Sequence, residues 1–412
     1  MHEPSTTPAK EAAVAAVMAS AAYRTAVATM AREHDRTVGD IIALTEIESP
    51  PFGEAVRASA YLDMLRAHGL ADVEQDAAGN VMGLRRGTGN GPLVVVAAHL
   101  DTVFPAGTDV RVRREGTRLF APGVGDDTRS LAVLLAWMRA LDAAAIRTRC
   151  DILFVGDVGE EGLGDLRGVR HLFGEGKYKD RISAFVTVDS PDMDAVVVGG
   201  VGSKRYRVIF RGPGGHSYGA FGLVNPMVAM AQTVLELSRT AVPADPKTTF
   251  TASVVGGGTS VNAIPNEVWV EVDLRSKAPL QLDRLEKRFL RIVEDAVQAE
   301  NHARSVREGP VTAEATLIGD RPAGAADPTG EVVRYATDAI AAHGFVPRPV
   351  FSSTDANIAM SLGIPAVKIG SGGTGGRGHS LEEWIDVEEQ SSLRGMAAGL
   401  TAVLAIAGME AA

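Results

Sequence analysis

Six acidic residues and two histidines, Asp101, Asp126, Asp127, Glu160, Glu161, Asp189, His99 and His379, fall where apolar runs give way to loops. His99 and Asp101 end the run LVVVAAHLDTV (Leu93 to Val103). They stand two apart, so an extended chain sends both side chains to the same face. Asp126 and Asp127 lie in GVGDDT, Glu160 and Glu161 in VGEEG, Asp189 in VTVDSP and His379 in RGHS. An open α/β sheet presents its ligands at such strand-to-loop positions. Imidazole and carboxylate together suit a pair of divalent ions, zinc first, with manganese or cobalt as alternatives. Taken singly, each piece is ordinary: an HxD pair can be a core contact, Glu-Glu a solvated loop, Asp-Asp a helix cap. Four pieces in series, three of them beside a glycine, turn the balance toward a two-metal site.

The chemistry of such a site explains the residue types. Two cations sharing a carboxylate and a water bring the water's pKa to near 7 and polarise a scissile carbonyl. A carboxylate free of metal then takes the water's proton and hands it to the departing amine. Adjacent glutamates suit this division, because one turn aims two carboxylates in different directions.

The order and context of these residues resemble the zinc metallopeptidase and amidohydrolase family that includes carboxypeptidase G, peptidase T, acetylornithine deacetylase, aminoacylase and carnosinase. The resemblance runs from about residue 35 to the C-terminus. It implies that His99, Asp126 and Asp189 hold one metal while Asp126, Glu161 and His379 hold the other, with Asp126 bridging. It also implies that Glu160 is the general base, that Asp101 orients the histidine ligand, and that the Asp126–Asp127 peptide is cis. Three departures stand out. Thr128 and Arg129 follow the aspartate pair where the family often has Lys, Gly159 replaces a common acidic residue, and about thirty N-terminal residues lie outside the motifs.

Composition agrees with a soluble enzyme. The 412 residues exceed one hydrophobic core, so two domains are expected. Lys plus Arg number 41 against 51 Asp plus Glu, a net charge of −10 that, without a basic cluster, argues against nucleic acid. The single cysteine, Cys150, reads as a structural thiol. No run is long and apolar enough to span a bilayer. AAVAAVMASAA (Ala12 to Ala22) lacks the positive flank of a signal peptide and reads as a helix running on to His34, so a cytoplasmic protein is expected.

The elements that must position the site change character along the chain. From about 36 to 199 short continuous apolar runs alternate with helices, as in a mostly parallel α/β sheet. The helix SLAVLLAWMRALDAA places Leu131, Leu134, Leu135, Met138 and Leu141 on one stripe. From about 200 to 315 the order becomes strand, helix, strand, strand, helix, strand, the ferredoxin-like arrangement. His379 lies beyond this block, so residues 201–315 read as an α+β lid and dimerisation domain inserted into a catalytic domain of residues 35–200 and 316–412, behind an N-terminal helical extension of residues 1–34.

The inserted block carries polar candidates of its own. His216 in RGPGGHS reads alone as an exposed surface histidine. The resemblance implies instead an oxyanion donor reaching into the neighbouring subunit's site, and so a homodimer. It further implies that Asn262 in SVNAIPN and Arg275 in DLRS bind the substrate's carboxylate, a task suited to a planar guanidinium. The glycine-rich loop Gly370 to Gly378, with Gly372 and Gly373 at its centre, reads as a backbone cradle for an anionic substrate end. Thr354 and Asp355 in SSTDAN resemble a loop of the family near the pocket, and suit a turn and cap equally. The expected function is hydrolysis of an amide bond in a small carboxylate-bearing substrate, a dipeptide or tripeptide. The alternatives are an N-acyl amino acid deacylase, a carbamoyl amidohydrolase, and a catalytically silent scaffold.

Overall fold

Residues 8–89 and 92–410 are described by the structure, a computed structural model. Residues 1–7 of the expected extension lie outside the described residues. Contacts divide the chain into two compact units, one holding the chain to Gly200 and again from Ala325, the other Val201–Gly324.

The first unit is built on a nine-stranded mixed sheet. Its strands run in the order Ala71–Gln75, Val81–Arg85, Asp151–Asp157, Leu93–His99, Ile182–Val188, Ala366–Ile369, Ala195–Gly200 and Gly324–Ala325, and the ninth, Arg348–Ser352, pairs with Ala195–Gly200. Leu93–His99 pairs in parallel with the strands on both sides, and Ile182–Val188 in parallel with Ala366–Ile369. Every residue of Leu93–His99 and Asp151–Asp157 is buried, which is why their apolar runs are continuous rather than alternating. This topology decides where the chemistry sits. Because the central strands run the same way, the chain leaves all of them at one edge of the sheet. His99, the Gly159–Glu161 turn, Asp189 and the glycine-rich loop are the residues at those exits.

The helix Arg129–Ala143 departs from its expected single stripe, since all its residues from Arg129 to Leu141 are buried. The sheet takes one side, and the helices Ala21–Arg32, His34–Thr45 and Glu389–Ala407 pack on it as well. Arg139 is tolerated there because it meets Glu33 and Asp40, each at 2.8 Å. The single N-terminal helix is corrected to three, Pro8–Ala19, Ala21–Arg32 and His34–Thr45, broken at Ser20, whose backbone is extended, and at Glu33. The first two diverge by 66°, and Val14, Val17, Tyr23, Ala26 and Met30 join the main core, so this segment is part of the first unit. Among the described residues no single helix is long and apolar enough to cross a membrane.

The second unit is a four-stranded antiparallel sheet in the order Thr248–Gly257, Glu267–Ser276, Gly202–Arg211, Thr312–Arg321. The helices Pro226–Ser238 and Pro279–Ala303 complete the ferredoxin-like order. Val268, Val270, Val272 and Leu274 alternate inward against Leu282, Leu285 and Phe289. Asn225 caps the first helix by accepting the Met227 N–H at 3.0 Å, with Pro226 in the first turn. The strand Thr312–Arg321 pairs along its length with Gly202–Arg211, so the chain returns to the first unit after Gly324. A boundary at 316 would cut that strand in two.

Candidate metal centre

His99 ends its strand with a buried imidazole whose Nδ1–H donates to the Asp101 backbone carbonyl at 2.9 Å. That bond fixes the ring and leaves Nε2 as the ligand nitrogen. Nε2 lies 2.9 Å from Asp126 Oδ1. The second oxygen, Oδ2, lies 3.1 Å from His379 Nε2, which in turn is 2.9 Å from Glu161 Oε1. Donor atoms of His99, Asp126 and Asp189 all lie within 4.8 Å of one another, and so do those of Asp126, Glu161 and His379. Asp126 is common to both groups. Glu160 comes within the same distance of His99 and Glu161.

The role expected of the Asp101 carboxylate, orienting His99, falls to its carbonyl, because the carboxylate stands 3.8 Å from Nδ1. The carboxylate instead accepts the backbone N–H groups of Glu160 at 3.0 Å and Glu161 at 2.8 Å. It therefore sets the turn that aims both glutamates. Arg57, wholly buried, donates to the Leu100 carbonyl at 2.8 Å, and its charge lies beside Asp101.

The electrostatics are those of a place where negative charge is concentrated. Burial pushes the Asp189 carboxyl up while Lys368 pulls it down, and Lys368 Nζ donates to Ser190 Oγ at 2.8 Å. Burial also pushes Asp127 well up, and its Oδ2 accepts the His99 N–H at 3.2 Å. Burial acts the same way on Asp126, but hydrogen bonds from His379 and His99 overcome it and hold that carboxyl well below the usual range. Hydrogen bonds to Asp126 and Glu161 raise His379 to about 11. The Asp126–Asp127 peptide is cis.

Glu383 is a functional position that sequence reasoning missed. Its carboxylate is 2 % exposed and accepts the N–H groups of Gly123, Gly125 and Asp126 at 3.0, 2.7 and 2.9 Å. A signal was present, since HSLEE puts a carboxylate four residues after a candidate ligand. Asp157 was also missed. It is buried on the strand paired with His99, and burial raises its carboxyl to about 6 beside Asp355, which burial and Asp157 push well up. Thr354 is buried next to this pair, its N–H donating to Asn357 Oδ1 at 3.0 Å.

Gly373, Thr374, Gly375, Gly376 and Gly378 line a cavity of about 570 Å³ that reaches Asp126. Gly372 and Gly373 have packing reasons to be glycine as well. A Cβ on Gly372 would stand 2.7 Å from Gly395 Cα, and one on Gly373 2.7 Å from Arg129 Nη2.

His216, Asn262 and Arg275 lie in the second unit. His216 and Asn262 meet at a two-strand ribbon in which His216 pairs with Ala263 and Ser217 N–H donates to the Asn262 carbonyl at 2.9 Å. His216 Nδ1 accepts the N–H groups of Tyr218 and Gly219 at 3.2 and 3.3 Å, which leaves Nε2 as the ring's donor nitrogen. Arg275 Nε donates to Asp273 Oδ2 at 2.6 Å.

Comparison with known proteins gives the chain's family and fold. A putative [LysW]-lysine/[LysW]-ornithine hydrolase of Pyrococcus abyssi is 33 % identical over 138 residues, 34 % of this chain and 36 % of that protein, so the match spans about a third of the relative's length. A tripeptidase of Staphylococcus aureus superposes with a TM-score of 0.73 at 21 % identity, over 90 % of this chain and 99 % of that one. A dinuclear metal-binding M20 peptidase of Bacillus subtilis does so with a TM-score of 0.64 at 18 % identity, over 91 % and 99 %. The model of Peptidase family M20/M25/M40 matches residues 95–405, and the chain therefore belongs to that family of metal-dependent hydrolases of amide bonds.

Proposed function

We propose that the protein hydrolyses the amide bond of a small carboxylate-bearing peptide, a dipeptide or tripeptide, at a centre of two divalent ions bridged by Asp126. The observation that carries this reading is the reach of Asp126, whose two oxygens lie 2.9 and 3.1 Å from the Nε2 atoms of His99 and His379. The donor set fits the ions in kind, since two imidazoles and three carboxylates suit zinc, with manganese or cobalt as alternatives. His99, Asp126 and Asp189 would hold one ion and Asp126, Glu161 and His379 the other. Bound there, two divalent ions supply Lewis acidity, acidifying a water and polarising the scissile carbonyl.

The remaining work belongs to the chain. Glu160, aimed by the Asp101 carboxylate through its own N–H, takes the proton from the attacking water and delivers it to the departing amine. His216, its Nδ1 occupied by backbone N–H groups, donates from Nε2 to the oxyanion of a neighbouring subunit's site in a homodimer. Asn262 and Arg275 hold the substrate's free carboxylate, Gly373 and Thr374 line the pocket that reaches Asp126, and Gly372 and Thr354 are assigned to substrate binding with them. An N-acyl amino acid deacylase or carbamoyl amidohydrolase is the second reading, and the P. abyssi relative, a putative [LysW]-lysine/[LysW]-ornithine hydrolase, keeps a non-peptidase reading open.

A panel of dipeptides, tripeptides, N-acyl amino acids and N-carbamoyl amino acids, assayed with zinc, manganese and cobalt, tests the assignment. Turnover of free-carboxylate peptides above their amidated forms supports it. Hydrolysis confined to N-acyl or N-carbamoyl substrates moves the protein to the second reading, and metal uptake without any turnover makes it a binding scaffold.

A further inference from the structure

The first unit also holds a cavity of about 500 Å³ at the end of the sheet remote from the metal centre. Pro92, Cys150, Ser183 and Ala366 line it where the strands Leu93–His99, Asp151–Asp157, Ile182–Val188 and Ala366–Ile369 begin. His99, Glu161 and Asp189 lie at or past the other ends of the first three. Val94, Ala184, Val332, Ile364 and Ile406 give the cavity apolar walls. Size and lining are those of a small-molecule site, an apolar hollow with a few polar groups to orient a ligand.

Those polar groups name the ligand. Arg149 lines the cavity from its exposed side, with its guanidinium laid over Gly408, where a Cβ would stand 2.6 Å from Nε and 2.8 Å from Nη2. Its backbone N–H donates to the Gly408 carbonyl at 2.9 Å, and among the described residues no carboxylate pairs with its side chain. Tyr335 is half-buried, and among the described residues its hydroxyl has no hydrogen-bond partner. Burial and Glu331 push that hydroxyl up, burial pushes the Cys150 thiol up, and Arg149 pulls both down, so the guanidinium stands beside both groups.

A guanidinium seated on backbone and a phenol O–H, each with donors to spare beside apolar walls, match a carboxylate with a hydrocarbon body. Asp327 and Glu331 line the cavity too, and Asp327 Oδ1 is occupied by the Thr329 N–H and O–H, each at 2.8 Å. These acids repel a second negative charge on a ligand, which disfavours phosphates and dicarboxylates, and they tolerate an ammonium beside the carboxylate. We infer that this cavity binds a small aliphatic monocarboxylate, its carboxylate on Arg149 and Tyr335 and its hydrocarbon among Val94, Ala184, Ile364 and Ile406. Hydrolysis of an amide releases a carboxylate, so products of the family's reaction fall within this ligand class. The cavity shares no residue with the metal centre, and its occupancy does not depend on which amide is cleaved.

Cys150 is the chain's single cysteine and lines the cavity, so its alkylation by iodoacetamide reads this space. In the metal-loaded protein hexanoate is expected to slow alkylation about tenfold at about ten times its dissociation constant, since only the empty fraction reacts. Hexanol, which lacks the carboxylate, is expected to leave the rate unchanged, and Arg149→Gln is expected to abolish the protection by hexanoate. L-Norleucine, the same chain with an ammonium, separates the two sources of such a ligand. Protection by both admits free amino acids, and protection by hexanoate alone restricts the site to simple acids. No protection by hexanoate, equal protection by hexanol, or protection unchanged in Arg149→Gln overturns the inference, and the wild-type pair of hexanoate and hexanol decides it if the variant does not fold. Crystals soaked in bromohexanoate are expected to give a bromine anomalous peak in the cavity. Should the Cys150 thiol prove unreactive, absence of that peak overturns the inference.

Discussion

Glu383 Oε1 accepts the backbone N–H of Asp126 at 2.9 Å. The same carboxylate takes the N–H groups of Gly123 and Gly125, so a buried acid just past His379 holds the loop that presents the shared aspartate. Position and charge are thus supplied by a residue outside either donor group.

Replacing Glu383 by Gln keeps one acceptor oxygen and loses the other. Outer partners of metal ligands typically contribute about 10- to 100-fold in affinity or activity, and a loss of that size is expected here. Chelator competition on the variant measures it. Unchanged affinity and turnover would make Glu383 a loop residue only.

Glu160 and Glu161 are adjacent yet are expected to fail differently. Glu160→Gln should keep its metal content while turnover falls at least about a hundredfold, the scale of a positioned proton-transfer group. Glu161→Gln should lose metal instead. Metal analysis beside steady-state rates separates the two, and near-normal turnover in Glu160→Gln would reverse the assignment.

Metal affinity should rise with pH. Burial lowers the His99 pKa, but Asp126, Asp127 and Asp101 outweigh it and hold the ring well above 6.5, while His379 reaches about 11. His379 is therefore protonated at neutral pH before ions bind, the upward shift of His99 acts in the same direction, and any such proton must leave. In the metal-free protein the raised values contribute stability that is fully present below the ordinary histidine pKa and lost as pH rises through the folded one. For metal uptake the sign is opposite, with apparent affinity rising about tenfold per unit increase in pH for each proton displaced. Zinc titrations from pH 6 upward in weak buffer, with released protons counted, check this. A pH-independent affinity would show that the rings bind as neutral ligands already.

A shared site makes a complementation experiment informative. His216→Ala and Glu160→Gln chains, each inactive alone, should regain activity when mixed, because one site of each mixed dimer carries neither defect. Mixed dimers that form and stay inactive would confine His216 to its own subunit. Removing one oxyanion donor costs about a hundredfold to a thousandfold.

Much of this arrangement was legible in the sequence because its elements announce themselves locally. Leu93–His99 and Asp151–Asp157 are buried on both faces, so their apolar runs are unbroken, and the ligands sit where those runs stop. Asn225 and Pro226 mark a helix start by side-chain chemistry alone. What was not legible depends on partners remote in sequence. Arg129–Ala143 shows an amphipathic stripe, yet other helices cover its outer face. The N-terminal helix breaks at Ser20 with no glycine or proline to signal it. Asp101 carries an orienting motif, but its carboxylate is used on backbone N–H groups of a turn about sixty residues away. Glu383 reads as one acid in a polar stretch until the Gly123–Asp126 loop is seen wrapped around it.

Anomalous diffraction at the zinc edge from zinc-loaded crystals shows whether one aspartate joins two ions. Two peaks are predicted, one among His99, Asp126 and Asp189 and the other among Asp126, Glu161 and His379, each within zinc-ligand distance of a different Asp126 oxygen, about 2.0 to 2.2 Å. A single peak, or two peaks of which only one touches Asp126, would mean that Asp126 does not bridge two ions.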